Sequence, residues 1–325
     1  MADSPDKRSL LIVMPIFNDW EPLNQLLDLI DAVLAKLDMR ATVLLVDDAS
    51  SERPNHAKFQ RRFVSLTEIH LLLLRRNLGH QRAIAIGLAF ASELLPADRV
   101  IVMDADGQDS PEDFAKLFAK YDEMAGRSII FAERIRRSEG LAFRFFYWLF
   151  RWTHSLLTGH QARVGNFSLI PREQLRRLMV VSEIWNNYAA AVHKARLPIA
   201  FVPTDRAKRI AGDTRMNFSS LVAHGLSAMS IFNDAIGVRT LMTAVVCTLL
   251  VKLALIGLIV LHFARHTVRF DAWIFAGLIT LASLVVVCGV LATFLLSSLA
   301  SRTYSSFLPM RDYKFYYDFS QRMDL

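Results

Sequence analysis

The chain of 325 residues is 53% hydrophobic and 21% charged, with a formal net charge of +7. The apolar share is above the roughly 45–50% of soluble domains, and the excess sits between Leu241 and Ala300. The positive charge calls for phosphate groups or an acidic membrane face, because the sequence shows no nucleic-acid module and no basic recognition helix.

In chain order, Ser9 to Pro15 reads as a first strand, too short for a signal peptide and cut off by Pro15, Asn18 and Asp19. The domain it opens is therefore expected to stay in the cytoplasm. Glu21 to Leu37 carries apolar residues at helical spacing. Strands are predicted at Ala41–Asp47, Ile69–Leu74, Arg99–Asp104 and Ser128–Glu133, with helices at Gln81–Leu95 and Pro111–Met124. Continuous apolar strands alternating with helices predict an α/β domain with a mostly parallel, Rossmann-like sheet covered on both faces.

Gly140 to Leu157 is helical in pattern and rich in aromatic residues. Two readings stay open: a helix at headgroup depth in a membrane, or a core helix beneath the sheet. Asn217 to Asp234 reads as an amphipathic juxtamembrane helix, or as one packed on the head. Leu241–Phe263 and Ala272–Ala300 are each long enough to cross a hydrocarbon core of about 30 Å. Their short linker makes an antiparallel hairpin. Both cysteines, Cys247 and Cys288, lie in these spans, so a disulfide framework and thiolate metal spacing are excluded. Lys252 sits near the middle of the first span, as a functional charge or one facing a helix neighbour. Tyr313 to Phe319 forms an aromatic tail suited to a membrane surface or a subunit contact. The predicted organisation is a catalytic domain at 1–216, a juxtamembrane helix at 217–236, a transmembrane hairpin at 237–301 and a cytosolic tail at 302–325.

The chemistry concentrates where strands end. Asp104 and Asp106, two residues apart at the end of an apolar strand, can converge on one hard cation, with Gln108 adding a neutral oxygen. Mg²⁺ or Mn²⁺ fits, since these ions complete their shells with water and substrate phosphates. Ser110 and Pro111 start the next helix, and Glu112 and Asp113 favour its positive end. The cluster Val46–Ser50 ends another strand; its carboxylates can receive hydrogen bonds from a base or ribose, or simply form a polar turn. Gly79 and His80 open the following helix, where the N-terminus can face phosphate or Gly79 can serve a tight turn.

The segments PIFND, VDDAS, RRNLGHQRAIAIGLAFA and MDADGQDSPED, in this order, resemble glycosyltransferase family 2. The two C-terminal spans make the chain similar to its polyprenyl-phosphate branch. The resemblance implies a GT-A fold, a UDP- or GDP-sugar donor, a divalent cation and a lipid-phosphate acceptor. It also implies that Asp104, Asp106 and Gln108 hold the metal, and that Pro15, Asn18, Asp19, Asp47, Asp48 and Asp104 line the nucleotide site. Relatives often carry an acidic residue in a Gly-Asp-Phe-Arg-like segment; this chain has Asn166 and Ser168 in GNFSLIPR. Where relatives show Arg-x-x-Arg-x-x-Gly-x-Ser-Lys, it has Thr214 and Arg215 in the last two places.

Losing a base is tolerable for a phosphate acceptor, whose second pKa of about 6 leaves it ionised near neutrality. Such an acceptor needs cations to hold it, and Arg134, Arg206, Arg209 and Arg215 are the candidates, with Lys208 and Arg136 nearby. The alternative for these residues is contact with anionic headgroups. The expected reaction is an inverting displacement at the anomeric carbon at the cytoplasmic face of the inner membrane, with Asp104, Asp106, Arg206 and Arg209 as its central residues. Transfer to another lipid or lipid-linked glycan, with Asp109, Glu183 or another acid as base, is a second reading; a membrane-anchored nucleotide-sugar binder without catalysis is a third, and the spans suit a homo-oligomer in any of them.

Overall fold

The computed structural model describes residues 9–52, 62–95, 97–134, 152–159, 164–205, 207, 209–210, 225–265, 272–304 and 307–323. An eight-stranded sheet has the order β7-β5-β6-β4-β1-β2-β3-β8. Its strands are β1 (Leu10–Ile16), β2 (Ala41–Asp47), β3 (Leu66–Leu74), β4 (Arg99–Val102), β5 (Ile129–Arg134), β6 (Val164–Pro171), β7 (Ile199–Thr204) and β8 (Tyr317–Met323). Strands β1 to β5 and β7 run one way, and β6 and β8 run against them. The parallel core, with its central strands apolar on both faces, matches the sequence expectation. Strands β6, β7 and β8 have weaker apolar runs and were not anticipated.

Alternation along β1 sorts the core into two layers. Leu11 and Val13 face α2 (His80–Leu94), which packs so tightly that a Cβ on Gly87 would lie 2.6 Å from Val46 Cγ2. Leu10, Ile12, Met14 and Ile16 face α1 (Trp20–Lys36) and α3 (Phe114–Glu123). Two shorter helices, α4 (Arg172–Leu178) and α5 (Tyr188–Lys194), extend the α2 layer.

Beyond β7 the chain runs into α6 (Asn233–Arg265) and α7 (Ala272–Tyr304), two 33-residue helices. At 1.5 Å per residue each is about 50 Å long. Both are long and apolar enough to cross a bilayer, over Asn233–Ala254 and Gly277–Ser298. They expose large apolar side chains along their length, among them Leu241, Leu253, Leu291 and Phe294. Lys252 is exposed on α6. The predicted helix at 217–234 lies outside the described residues up to 224; from 225 to 230 it is helical, and Met229, Phe232 and Ile236 are buried against Ala190 of the head and Leu296 of α7.

Of the aromatic stretch, 135–151 lies outside the described residues, and 152–158 is helical. This piece has its polarity reversed. His154 and Thr158 are buried inside, with Thr158 Oγ1 bonded to the His154 carbonyl at 2.7 Å, while Trp152 and Leu156 are 55% and 58% exposed. The aromatic tail packs partly on the head, with Phe315 left exposed. Tyr313 is fully buried over α2, Phe307 stacks on Trp185 at 4.0 Å between ring centroids, and β8 pairs antiparallel with β3.

Candidate active site

Strand order reverses at β1, which has β2 on one side and β4 on the other. In such sheets ligands bind outside the carboxyl ends at this point. Pro15 helps open the gap. Val13 directs its carbonyl to Met103 on the β4 side, at 3.2 Å, and Pro15, two residues on, faces the same way. Paired β4 has already ended at Val102, so the N–H that proline lacks is not missed. Beyond Ile16, Asn18 adopts φ +57°, which Asn tolerates better than bulkier residues. It ties the loops after β1 and β2 together: Asn18 N donates to Ser50 Oγ at 2.9 Å and Asn18 Oδ1 accepts from Glu52 N at 3.0 Å.

The two aspartates after β2 have different environments. Asp47 Oδ1 accepts from Ser50 N at 2.9 Å, closing the turn. Asp48 reaches away to the start of α2, where its oxygens accept from Leu78 N at 2.7 Å and Gly79 N at 2.8 Å. Burial pushes both carboxyl pKa values up, against the lowering effect of these hydrogen bonds. Asp48 thus clamps the loop that Gly79 turns at φ +93°.

Asp104 and Asp106 do not share a strand face, because β4 stops at Val102 and the acids occupy the following turn. Local hydrogen bonds arrange them instead. Buried Asp109 accepts from Asp104 N at 3.1 Å, and Asp106 Oδ1 accepts from Gln108 N at 2.9 Å. Ser110 caps the next turn by accepting from Glu112 N, as its sequence position suggested. Burial, and then the charge of Asp104, push the Asp106 pKa up. Two acids that repel each other in a partly buried crevice suit a cation, whose charge would relieve both penalties. Among the described residues no three His, Cys, Asp or Glu side chains form a closed metal cage. An open pair fits Mg²⁺ or Mn²⁺, which keep water and substrate oxygens in their shells.

The segment after β7 lies across this turn. Ile210 N donates to the Asp106 carbonyl and Ala207 N to the Gln108 carbonyl, both at 3.1 Å. Gly107, at φ +78°, leaves room for Ile210, whose Cδ1 would sit 2.3 Å from an added Cβ. Arg209 is thereby delivered to the crevice, 2.9 Å from Asp19 and 3.8 Å from Asp106. So Arg209 meets the acids of the donor side. Arg134 closes β5. Arg136, Arg206, Lys208 and Arg215 lie outside the described residues.

Sequence reasoning gave His80 only a place at a helix start. The structure puts its Nε2 3.1 Å from Asp104 Oδ1 and 2.8 Å from Asn166 Nδ2. Desolvation opposes charge on the half-exposed His80 ring, but Asp104, with Asp109 and Asp106 behind it, outweighs this and holds its pKa up. Asn166 also accepts from Gln81 Nε2 at 3.0 Å. Nothing in local sequence joins residues 80, 104 and 166; the sheet does.

An α/β sheet with acids gathered at its switch point defines a ligand-binding architecture of the doubly wound kind. The glycosyl transferase family 2 sequence model matches residues 11–179, more than half the chain, and the chain belongs to that family. It is a glycosyltransferase with a GT-A-like fold. A relative from Klebsiella pneumoniae, undecaprenyl-phosphate 4-deoxy-4-formamido-L-arabinose transferase, is 25% identical over 234 residues, 68% of this chain and 67% of its own. The Salmonella paratyphi A protein of the same name is 30% identical over 141 residues, 43% of this chain, which spans 41% of that relative's length. Mannosyl-3-phosphoglycerate synthase from Rubrobacter xylanophilus shares the fold, with a TM-score of 0.51 at 16% identity, over 69% of this chain and 72% of that one. Glucosyl-3-phosphoglycerate synthase from Mycobacterium tuberculosis, solved with Mn²⁺, UDP-glucose and phosphoglyceric acid, gives 0.50 at 17% identity, over 71% and 80%.

Proposed function

We propose that this chain transfers a sugar from a UDP- or GDP-sugar to a polyprenyl phosphate at the cytoplasmic face of the inner membrane. The relatives named for undecaprenyl-phosphate transfer support the acceptor class. The observation that carries it is how the apolar hairpin is joined: α6 follows β7, and α7 leads back into β8 of the same sheet. A donor crevice built this way serves an acceptor whose tail stays in lipid. The reversed helix at 152–158 supports membrane contact, since Trp152 and Leu156 face out where a water-soluble helix would place polar residues. Arg239 of α6 holds this piece to the hairpin by donating to the Leu156 carbonyl at 2.9 Å. Residues 1–216 with β8 form the catalytic head in this reading, and 237–301 the anchor.

The acceptor phosphate oxygen forms its bond to the anomeric carbon as the carbon–diphosphate bond breaks, with inversion and release of the nucleoside diphosphate. A divalent ion, when bound, offsets the charge developing on that leaving group. Asp104 and Asp106, with Gln108 beside them, would hold it, and Arg209 ties Asp19 to Asp106. Asp47, with Pro15, Asn18, Asp19 and Asp48 shaping the loops, receives the nucleoside. Arg134, Arg206 and Arg215 are assigned to the acceptor phosphate, already an anion near neutrality. The test is purified full-length chain with Mn²⁺, a panel of nucleotide sugars and undecaprenyl phosphate, followed by mass spectrometry of the lipid. One glycosyl phospholipid should form. Glycosylation of diacylglycerol or a lipid-linked sugar, with polyprenyl phosphate untouched, would refute the acceptor.

A further inference from the structure

We propose that the exposed face of α6 around Lys252 docks a transmembrane helix of another membrane protein, one that carries an aspartate or glutamate at mid-bilayer depth. This rests on reading the hairpin as membrane-spanning. The depth of Lys252 follows from counting. Arg239, tied to the Leu156 carbonyl of the outward-facing helix at 152–158, marks the head end of α6, and the helix ends at Arg265. Lys252 stands thirteen residues from each, about 20 Å along the axis either way. In a hydrocarbon core about 30 Å thick that is near the middle. A four-carbon stem cannot carry the ammonium group over the roughly 15 Å to either interface.

The face is what α7 leaves uncovered. The seam between the two helices runs through Gly237, against Thr293, and Thr240, against Gly289. Ala244, Cys247, Thr248 and Val251 continue it and are half-buried. Lys252 is exposed on a different stripe, with Val238, Leu241, Val245, Leu249 and Ile256, which are 50% to 66% exposed. Steps of three and four residues set these six on one line of the helix. The apolar members are satisfied by lipid, which gives them no reason to seek a partner. A charge among them is not, because hydrocarbon offers it neither water nor counter-charge.

This chain does not supply the counter-charge. Asp234 lies at the head end of α6, bonded to Lys194 at 3.1 Å. The sole acid between Arg239 and Arg302 is Asp271, next to the start of α7 and so at the far end of the spans. A second copy, inserted in the same sense, would bring Lys252 level with Lys252. Lipid phosphates stay at the interfaces. A helix from a different protein, with a carboxylate at the midplane and apolar residues on either side of it, complements this face. A single polar pair in an apolar seam would also fix the register of the two helices.

The probe is a synthetic alanine–leucine helix of about 24 residues, long enough to span, with one glutamate at its centre. The full-length chain is reconstituted in phosphatidylcholine vesicles, and binding is read by energy transfer from its tryptophans to a dansyl group on the peptide. The glutamate peptide should bind about tenfold tighter than the same peptide with leucine there. Moving the glutamate two turns toward either end should remove the gain. Lys252→Leu should abolish the preference and Lys252→Arg should keep it, with insertion of each variant checked by carbonate extraction. Equal binding of both peptides by wild type, or an unchanged preference in Lys252→Leu, would overturn the proposal. So would energy transfer between two labelled copies that Lys252→Leu abolishes, which would put a second copy on this face. Wild type released by carbonate would instead remove the membrane-spanning reading, and the docking face with it.

Discussion

Replacing Asp48 separates a loop clamp from a nucleotide ligand. Asp48→Asn keeps the side-chain size but turns an NH₂ toward Leu78 N or Gly79 N, where the carboxylate now accepts at 2.7 and 2.8 Å. Hydrogen bonds to a charged group contribute about 1.5–3 kcal/mol each, and a buried N–H facing another donor loses its partner outright. Against this, the neutral amide escapes the burial penalty that pushes the Asp48 pKa up. One bond lost, a donor clash and some desolvation recovered leave a net cost of about 2–4 kcal/mol. At about 2–4 °C per kcal/mol for a domain of 150–250 residues, the head should melt roughly 5–15 °C lower. The assay is thermal unfolding of purified protein with and without UDP. Asp47→Asn is the control: its bonds, confined to Ser50 of the same turn, predict a smaller melting shift and a larger loss of UDP stabilisation. If Asp48→Asn melts with wild type while UDP no longer stabilises it, Asp48 is a ligand and the clamp argument is wrong.

Gly107→Ala should cost about 1–2 kcal/mol from the positive φ alone, and more because Ile210 must move; a lower melting point together with weaker Mn²⁺ binding, from displaced Arg209, is the expected pair of results in a combined melting and binding assay. Deleting residues 305–325 removes β8 and the buried Phe307, Tyr313 and Met323, each worth about 1.5–3 kcal/mol of burial. That sum rivals the entire stability of a typical domain of about 5–15 kcal/mol, so hydrogen exchange should find β3 unprotected in the truncated protein. Hydrogen bonds from Lys314 and then Tyr313 hold the Glu93 pKa down, and one from Arg311 holds Asp312 down. Depressed carboxyl pKa values lend stability that is complete above the ordinary value of about 4 and lost as pH falls through the lowered ones; protease protection of the C-terminal segment should therefore hold from pH 7 to 5, fade below about 4, and fade less steeply in Glu93→Gln.

The parallel core was legible because its signal is local. Strands β1 and β2 are buried on both faces, so their apolar runs announce themselves, and α1 and α2 carry clear helical spacing. The acids were found because a strand that ends in Asp-Ala-Asp is conspicuous, although the strand-face argument for their convergence was not the reason they meet. Strands β6 and β7 were missed where Gly165, Asn166 and Ser168 in one, and two prolines around the other, blur the period. The role of His80 could not be read at all: its partners lie 24 and 86 positions away, and only the β4–β6 register brings them together. Positive φ at Asn18, a residue that tolerates it, goes with the bond from its N–H to Ser50 in the loop after β2.

The C-terminal strand changes what kind of object the hairpin is. A hairpin appended after the last strand would hang from one linker, and the head could swivel over the bilayer. Here the spans are inserted between β7 and β8, so the head grips them twice. Met229, Phe232 and Ile236 pack on Ala190 and Leu296 at one root, and Phe307 stacks on Trp185 at the other. Arg239 adds a third tie, to the Leu156 carbonyl. On the proposed reading each grip removes rotational freedom that a phosphate on a lipid would otherwise have to wait for, since in-line attack tolerates little misalignment. The extra strand is costly to build, because β3 keeps an unpaired edge until both spans are made and the chain returns. A fold that accepts this delay gains a crevice held at a fixed attitude to the anchor. On the proposed reading that geometry, more than any single arginine, lets a lipid-bound phosphate meet a soluble donor.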